Sequence, residues 1–71
     1  MIRNRVEFAS LLAENKNKFF SLKVKEETII CRFSSYINGR FIVQTKNKHR
    51  IVNFDDVVEV KSKGIVYVIK K

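Results

Sequence analysis

The sequence predicts an α+β domain that is mainly β: an N-terminal helix followed by a five- or six-stranded, strongly bent antiparallel sheet. Three observations predict it. Apolar residues recur at helical spacing only as far as Asn15, and from Lys18 onward they alternate with polar residues at a period of two. Asn38-Gly39 and Ser62-Lys63-Gly64 interrupt that alternation with the residues tight turns require. No linker, repeat or low-complexity tract divides the chain, so its 71 residues read as one domain, helix at about 5–15 and sheet at about 18–70.

The helix is carried by "NRVEFASLLAENKNK". At about 100° per residue, Phe8, Leu12, Ala9, Ile2, Ala13 and Val6 fall in one arc with Leu11 at its edge, opposite Arg3, Glu7, Ser10 and Glu14. Asn4 followed by Glu7 has the spacing of a capping box, which starts the helix at Arg5. The helix should fray out through "NKNK". Its apolar stripe needs a surface to lie on, and the remaining chain supplies a sheet.

The strands follow in order. In "KFFSLKVKE", Phe20, Leu22 and Val24 share one face; in "TIICRFSSY", Ile29, Cys31 and Phe33 oppose Ile30, Arg32, Ser34 and Tyr36. "RFIVQTK" turns Phe41, Val43 and Thr45 inward and Arg40, Ile42, Gln44 and Lys46 outward. Asn-Gly suits a type I′ hairpin because both central residues need positive φ. "KNKH" makes a looser turn into "RIVNF", and "SKG" turns "VVEV" into "IVYVIKK". Short antiparallel strands in sequence, with a helix over the open core, describe a small barrel of the SH3-like or Sm-like kind, whose closure hides sheet edges.

Composition narrows the function classes. A chain this short needs a dense core, a staple or a partner. One cysteine excludes an intrachain disulfide, and Cys31 with His49 makes no zinc site, so the 45% hydrophobic fraction has to build the core. No apolar run reaches the roughly 18 residues of a membrane span, and no signal-peptide core opens the chain, which points to a reducing cytoplasm and no membrane role. A net charge of +8 draws the protein to phosphate backbones, DNA or RNA, or to an acidic protein partner. Part of the lysine excess also fits an AT-rich genome.

The longest stretch without an acid runs from Thr28 to Phe54. By register, Arg32, Arg40 and Lys46 project from one face with Tyr36 among them, and Lys48 and Arg50 sit at the far turn. Cations that track phosphates, with an aromatic ring to stack on a base, are what single-stranded nucleic acid needs. The competing reading is a solvated sheet face. Phe19 and Ile30 are expected beneath the helix; exposed, they would form a patch for a partner or a second copy. Asp55 and Asp56 alternate across a strand and so cap a turn instead of converging on a metal. Cys31 reads as core. No nucleophile–base pair, phosphate loop or cofactor motif is present, so the expectation is a non-enzyme without cofactors.

The stretch "ICRFSSYINGRFIVQTKNKHRIVNFDDVVEVK" resembles the C-terminal half of YolD-like proteins of Gram-positive bacteria and their phages. There a "G-x-I-x-x-I" strand leads through a basic or polar turn to an apolar strand and then to a terminal pattern of the kind "I-x-F-x-D-I-x-x-I", which "IVNFDDVVEV" resembles with Ile51, Asn53, Phe54, Asp55, Asp56, Val57, Val58 and Val60. The resemblance implies an Sm-like barrel and an association with error-prone DNA polymerases in damage tolerance. It transfers no site residues. The chain lacks that family's N-terminal tryptophan–proline region, and "SKGIVYVIKK" adds a strand. The expectation is therefore a small basic nucleic-acid-binding accessory or regulatory protein of bacterial, phage or mobile-element type. The alternative is a protein-interaction module, docking on a host protein or pairing with itself through an edge strand.

Overall fold

The structure is a computed structural model and describes residues 1–70. Helix α1 spans Arg5–Glu14, followed by β1 (Phe20–Val24), β2 (Glu27–Ile37), β3 (Arg40–Gln44), β4 (His49–Val52), a 3-10 turn at Phe54–Asp56, β5 (Val57–Ser62) and β6 (Ile65–Val68). The strands form one antiparallel, barrel-like sheet in the order β4-β3-β2-β1-β5-β6. Among the described residues, no helix is long and apolar enough to cross a membrane.

Strand β2 holds this order together. Its first half pairs with β1, from Val24 opposite Glu27 to Phe20 opposite Cys31. Its second half pairs with β3, from Arg32 opposite Gln44 to Ile37 opposite Arg40. The register slips between Phe33 and Ser35, leaving Ser34 as an extra residue. Such a bulge bends a strand and increases its twist, so one 11-residue strand serves two differently inclined halves of the sheet. The hairpin that follows matches its sequence signal: Asn38 and Gly39 have φ of 51° and 78°. Lys63 and Gly64 repeat the conformation before β6, at 54° and 79°.

The inner face holds the core. Phe20 and Leu22, Ile29 and Cys31, Phe41 and Val43, Val52, Phe54, Val57 and Val60 are buried beneath the helix residues Phe8, Leu11 and Leu12. The Phe8 ring meets Phe41 edge-on at 4.6 Å and Phe54 at 5.5 Å, so one side chain ties the helix to both halves of the barrel. The predicted helical stripe is wider than the contact: Phe8, Leu11 and Leu12 are buried, while Val6 is 74% exposed and Ala13 is also exposed.

Both helix ends are fastened. Asn4 accepts the Glu7 N–H at 2.9 Å, and the Glu7 carboxylate accepts the Arg3 N–H, one residue earlier than a strict capping box. The C-terminal end does not fray as the run of Asn and Lys suggests. Asn15 is buried, donates to the Leu11 carbonyl at 2.8 Å and accepts the Ser62 hydroxyl at 2.7 Å. Ile2 is not helical: its N–H donates to Val68 and its carbonyl accepts from Lys70, a short parallel bridge that covers part of the β6 edge.

The Ser62–Asn15 bond joins the last hairpin to the helix inside the protein, where an unsatisfied acceptor costs about 1–3 kcal/mol. Ser62→Ala should therefore lower unfolding stability by roughly that amount, read from urea titration. A loss within about 0.5 kcal/mol, the range of an ordinary surface change, would mean the bond contributes nothing.

Candidate nucleic-acid interface

The six predicted binding residues do not stay together. Arg32 and Arg40 share the outer face of the β2–β3–β4 sheet, as the alternation requires: Arg32 lies opposite Gln44, and Arg40 is on the same side of β3. Lys46 and Lys48 are exposed in the turn beyond β3, which the Thr45 side chain closes by donating to the Lys48 carbonyl at 3.0 Å. These four carry no ion pair among the described residues.

Tyr36 is on the other side. The extra residue at Ser34 shifts the alternation, so Tyr36 stands opposite buried Phe41, with ring centroids 4.6 Å apart. It forms a shallow groove with Val6, Ala9 and Ala13 of α1 and cannot stack a base held by Arg32 and Arg40. Simple period-two counting cannot see a bulge, and the adjacent serines were its only trace in the sequence.

Arg50 is also removed from the expected array. It belongs to β4, opposite inward-facing Val43, and makes two hydrogen bonds to the Glu27 carboxylate, at 2.8 and 3.0 Å. This fork-to-fork pair is the strong form of an ion pair. It joins edge strand β4 to the start of β2 and occupies the guanidinium that a phosphate would need. The hydrogen bonds from Arg50, helped by its charge and that of Lys48, hold the Glu27 carboxyl below its ordinary range.

The outer face does have an aromatic residue, which the sequence reading placed under the helix. Phe19 is 56% exposed and Ile30 64%, so both lie outside the core. The Arg32 guanidinium sits 5.8 Å from the Phe19 ring centre, within cation–π range, while also donating to Gln44 at 3.2 Å. The signal was present in "KFFSLKV": with Phe20 and Leu22 inward, alternation puts Phe19 outward beside Ser21.

Cys31 is fully buried, and burial pushes its thiol up to about 12, which leaves it protonated and unreactive at neutral pH. Asp55 and Asp56 lie in the 3-10 turn before β5; Asp55 meets Arg5 at 3.5 Å and Asp56 meets Lys25 at 3.9 Å. No group of three metal-ligating side chains gathers among the described residues.

The ion pair gives a pH signature. A carboxyl whose folded pKa lies below 4.5 contributes stability above that pH and loses it as pH falls through the folded value. Glu27→Gln should accordingly be less stable than wild type at pH 7, and the gap should close on acidification below about 4.5. Urea midpoints across pH 2.5–7 test this, and a gap independent of pH contradicts it. Compared with known proteins, the chain matches no family model, no curated protein and no solved structure.

Proposed function

We propose that the protein is a non-enzymatic nucleic-acid-binding accessory protein that holds single-stranded DNA or RNA on the outer face of β2–β4. The observation that carries the reading is Phe19 with Arg32: an exposed ring beside a guanidinium, on a face whose strands contain no acid between Thr28 and Phe54. Every base offers a π-face, so an exposed ring captures single strands with little regard to sequence. Arg40 on that face and Lys46 and Lys48 in the exposed turn beyond β3 supply phosphate contacts. Arg32 serves both purposes, as a stacking plane and as a charge. Tyr36 and Arg50 have no part in it.

A protein-interaction module remains the second reading. Ile30, Ile37 and Ile51 are each more than half exposed, which gives the face an apolar content that a phosphate tracker does not need. A stoichiometric complex with an acidic protein, stable to nuclease, would favour that reading.

Fluorescence anisotropy with short labelled oligonucleotides separates the two. About four phosphate contacts on a single strand give a log K against log salt slope near −3. Phe19→Ala should weaken binding by about 1–3 kcal/mol while keeping that slope. Arg40→Ala and Lys46→Ala should each make it shallower by about 0.7. Salt-independent binding, or a Phe19→Ala variant equal to wild type, contradicts the proposal.

A further inference from the structure

Strand β4 is an edge of the sheet, and its pairing with β3 fixes where its backbone points. The Thr45 N–H donates to the Lys48 carbonyl at 2.8 Å, and the same ladder sets Arg50 opposite Val43 and Val52 opposite Phe41. In an antiparallel pair, residues alternate between turning both backbone groups toward the partner and turning both away. Lys48, Arg50 and Val52 face β3, so His49 and Ile51 face outward. Extended Asn53, at φ −88° and ψ 132°, continues the alternation. Neither backbone group of Ile51 has a hydrogen-bond partner among the described residues.

This edge opens on a cleft of about 690 Å³, bounded across from Ile51 and Asn53 by Lys25, Glu26 and Glu27, with Arg50 also lining it. The β4 edge carries no proline and no bulge, and Ile51 at its centre is uncharged and 63% exposed. The opposite edge, β6, is by contrast partly covered by Ile2.

We propose that β4 pairs antiparallel with β4 of a second copy about a two-fold axis at Ile51, joining two six-stranded sheets into one. The register follows from the alternation. The two Ile51 residues exchange both backbone bonds, and each Asn53 N–H meets the other copy's His49 carbonyl. Opposed residues in an antiparallel pair share a face, so the two Ile51 side chains meet on the outer side. Since Ile51 already lies opposite Ile42, the pairing produces an unbroken four-isoleucine row across the axis. Charge selects the same partner. The chain carries +8, yet acids outnumber bases in this cleft, where Glu26, Glu27 and Asp56 face Lys25 and Arg50. The cleft is therefore less basic than the chain as a whole, which lowers the repulsion a second copy meets there. The pairing uses none of the residues assigned to nucleic-acid binding, so either proposal can fail alone.

Sedimentation equilibrium of the full chain from about 10 μM to about 1 mM should show a concentration-dependent shift from 8.4 kDa to twice that mass. Amide exchange at Ile51 and Asn53 should slow as the dimer forms. Ile51→Lys, which faces two charges across the axis, should weaken association at least about tenfold while the circular dichroism melt stays cooperative. Ile51→Pro, which removes only an outward N–H, should weaken it as well. A chain that stays at 8.4 kDa throughout, or a dimer that both variants leave unchanged, overturns the proposal. So does a monomer whose β4 amides become protected only on adding an extended peptide.

Discussion

The architecture depends on one strand serving two sheets. Strand β2 runs without a break from Glu27 to Ile37, pairing first with β1 and then with β3. A regular strand of that length would keep its faces constant from end to end. The extra residue at Ser34 lets β2 bend, and it reverses which side chains beyond it face the core. Tyr36 thereby joins Phe41 and the helix side. The bend also lets Phe8 reach Phe41 and Phe54 together. Loss of a buried phenylalanine of this kind costs about 3–5 kcal/mol, a large share of what a small domain has.

The same bend sorts charge. Glu27 and Arg50 face inward from β2 and β4 and satisfy each other in a bidentate pair, while Arg32 and Arg40 face outward with no acid near them. A basic composition therefore becomes a polarised surface: one side of the sheet is cationic and carries Phe19, and the cleft beside β4 is mixed. Net charge alone could not have distinguished the two, because it counts Arg50 and Arg40 alike. Their difference is one of strand parity, and parity becomes a binding property only through the register.

How much was legible follows the same logic. The helix start at Arg5, the Asn38-Gly39 hairpin, the Lys63-Gly64 turn and the inward set Phe20, Leu22, Ile29, Cys31, Phe41 and Val43 all rest on local chemistry, and local chemistry decides them. Arg32 and Arg40 were readable as sharing a face because no irregularity breaks β3 between Gln44 and Arg40. Tyr36 was not, since a bulge has no composition strong enough to announce it. Arg50 was misplaced because its partner Glu27 lies 23 residues away, beyond any window of periodicity. Asn15 was read as a fraying end for the same reason: Ser62, the residue that buries it, is 47 positions further on. Phe19 could have been read correctly. It was assigned to the helix by its hydrophobicity, against the alternation of its own strand.

The most direct test of this account is the position of the Tyr36 ring, because the bulge, the bend and the choice of aromatic on the outer face all meet there. Nuclear Overhauser spectra of the free protein should connect the Tyr36 ring protons to the Phe41 ring, 4.6 Å away between ring centres. Contacts from Tyr36 to Ile42 and Arg32, with none to Phe41, would mean that β2 runs straight and that the outer face is not the one described.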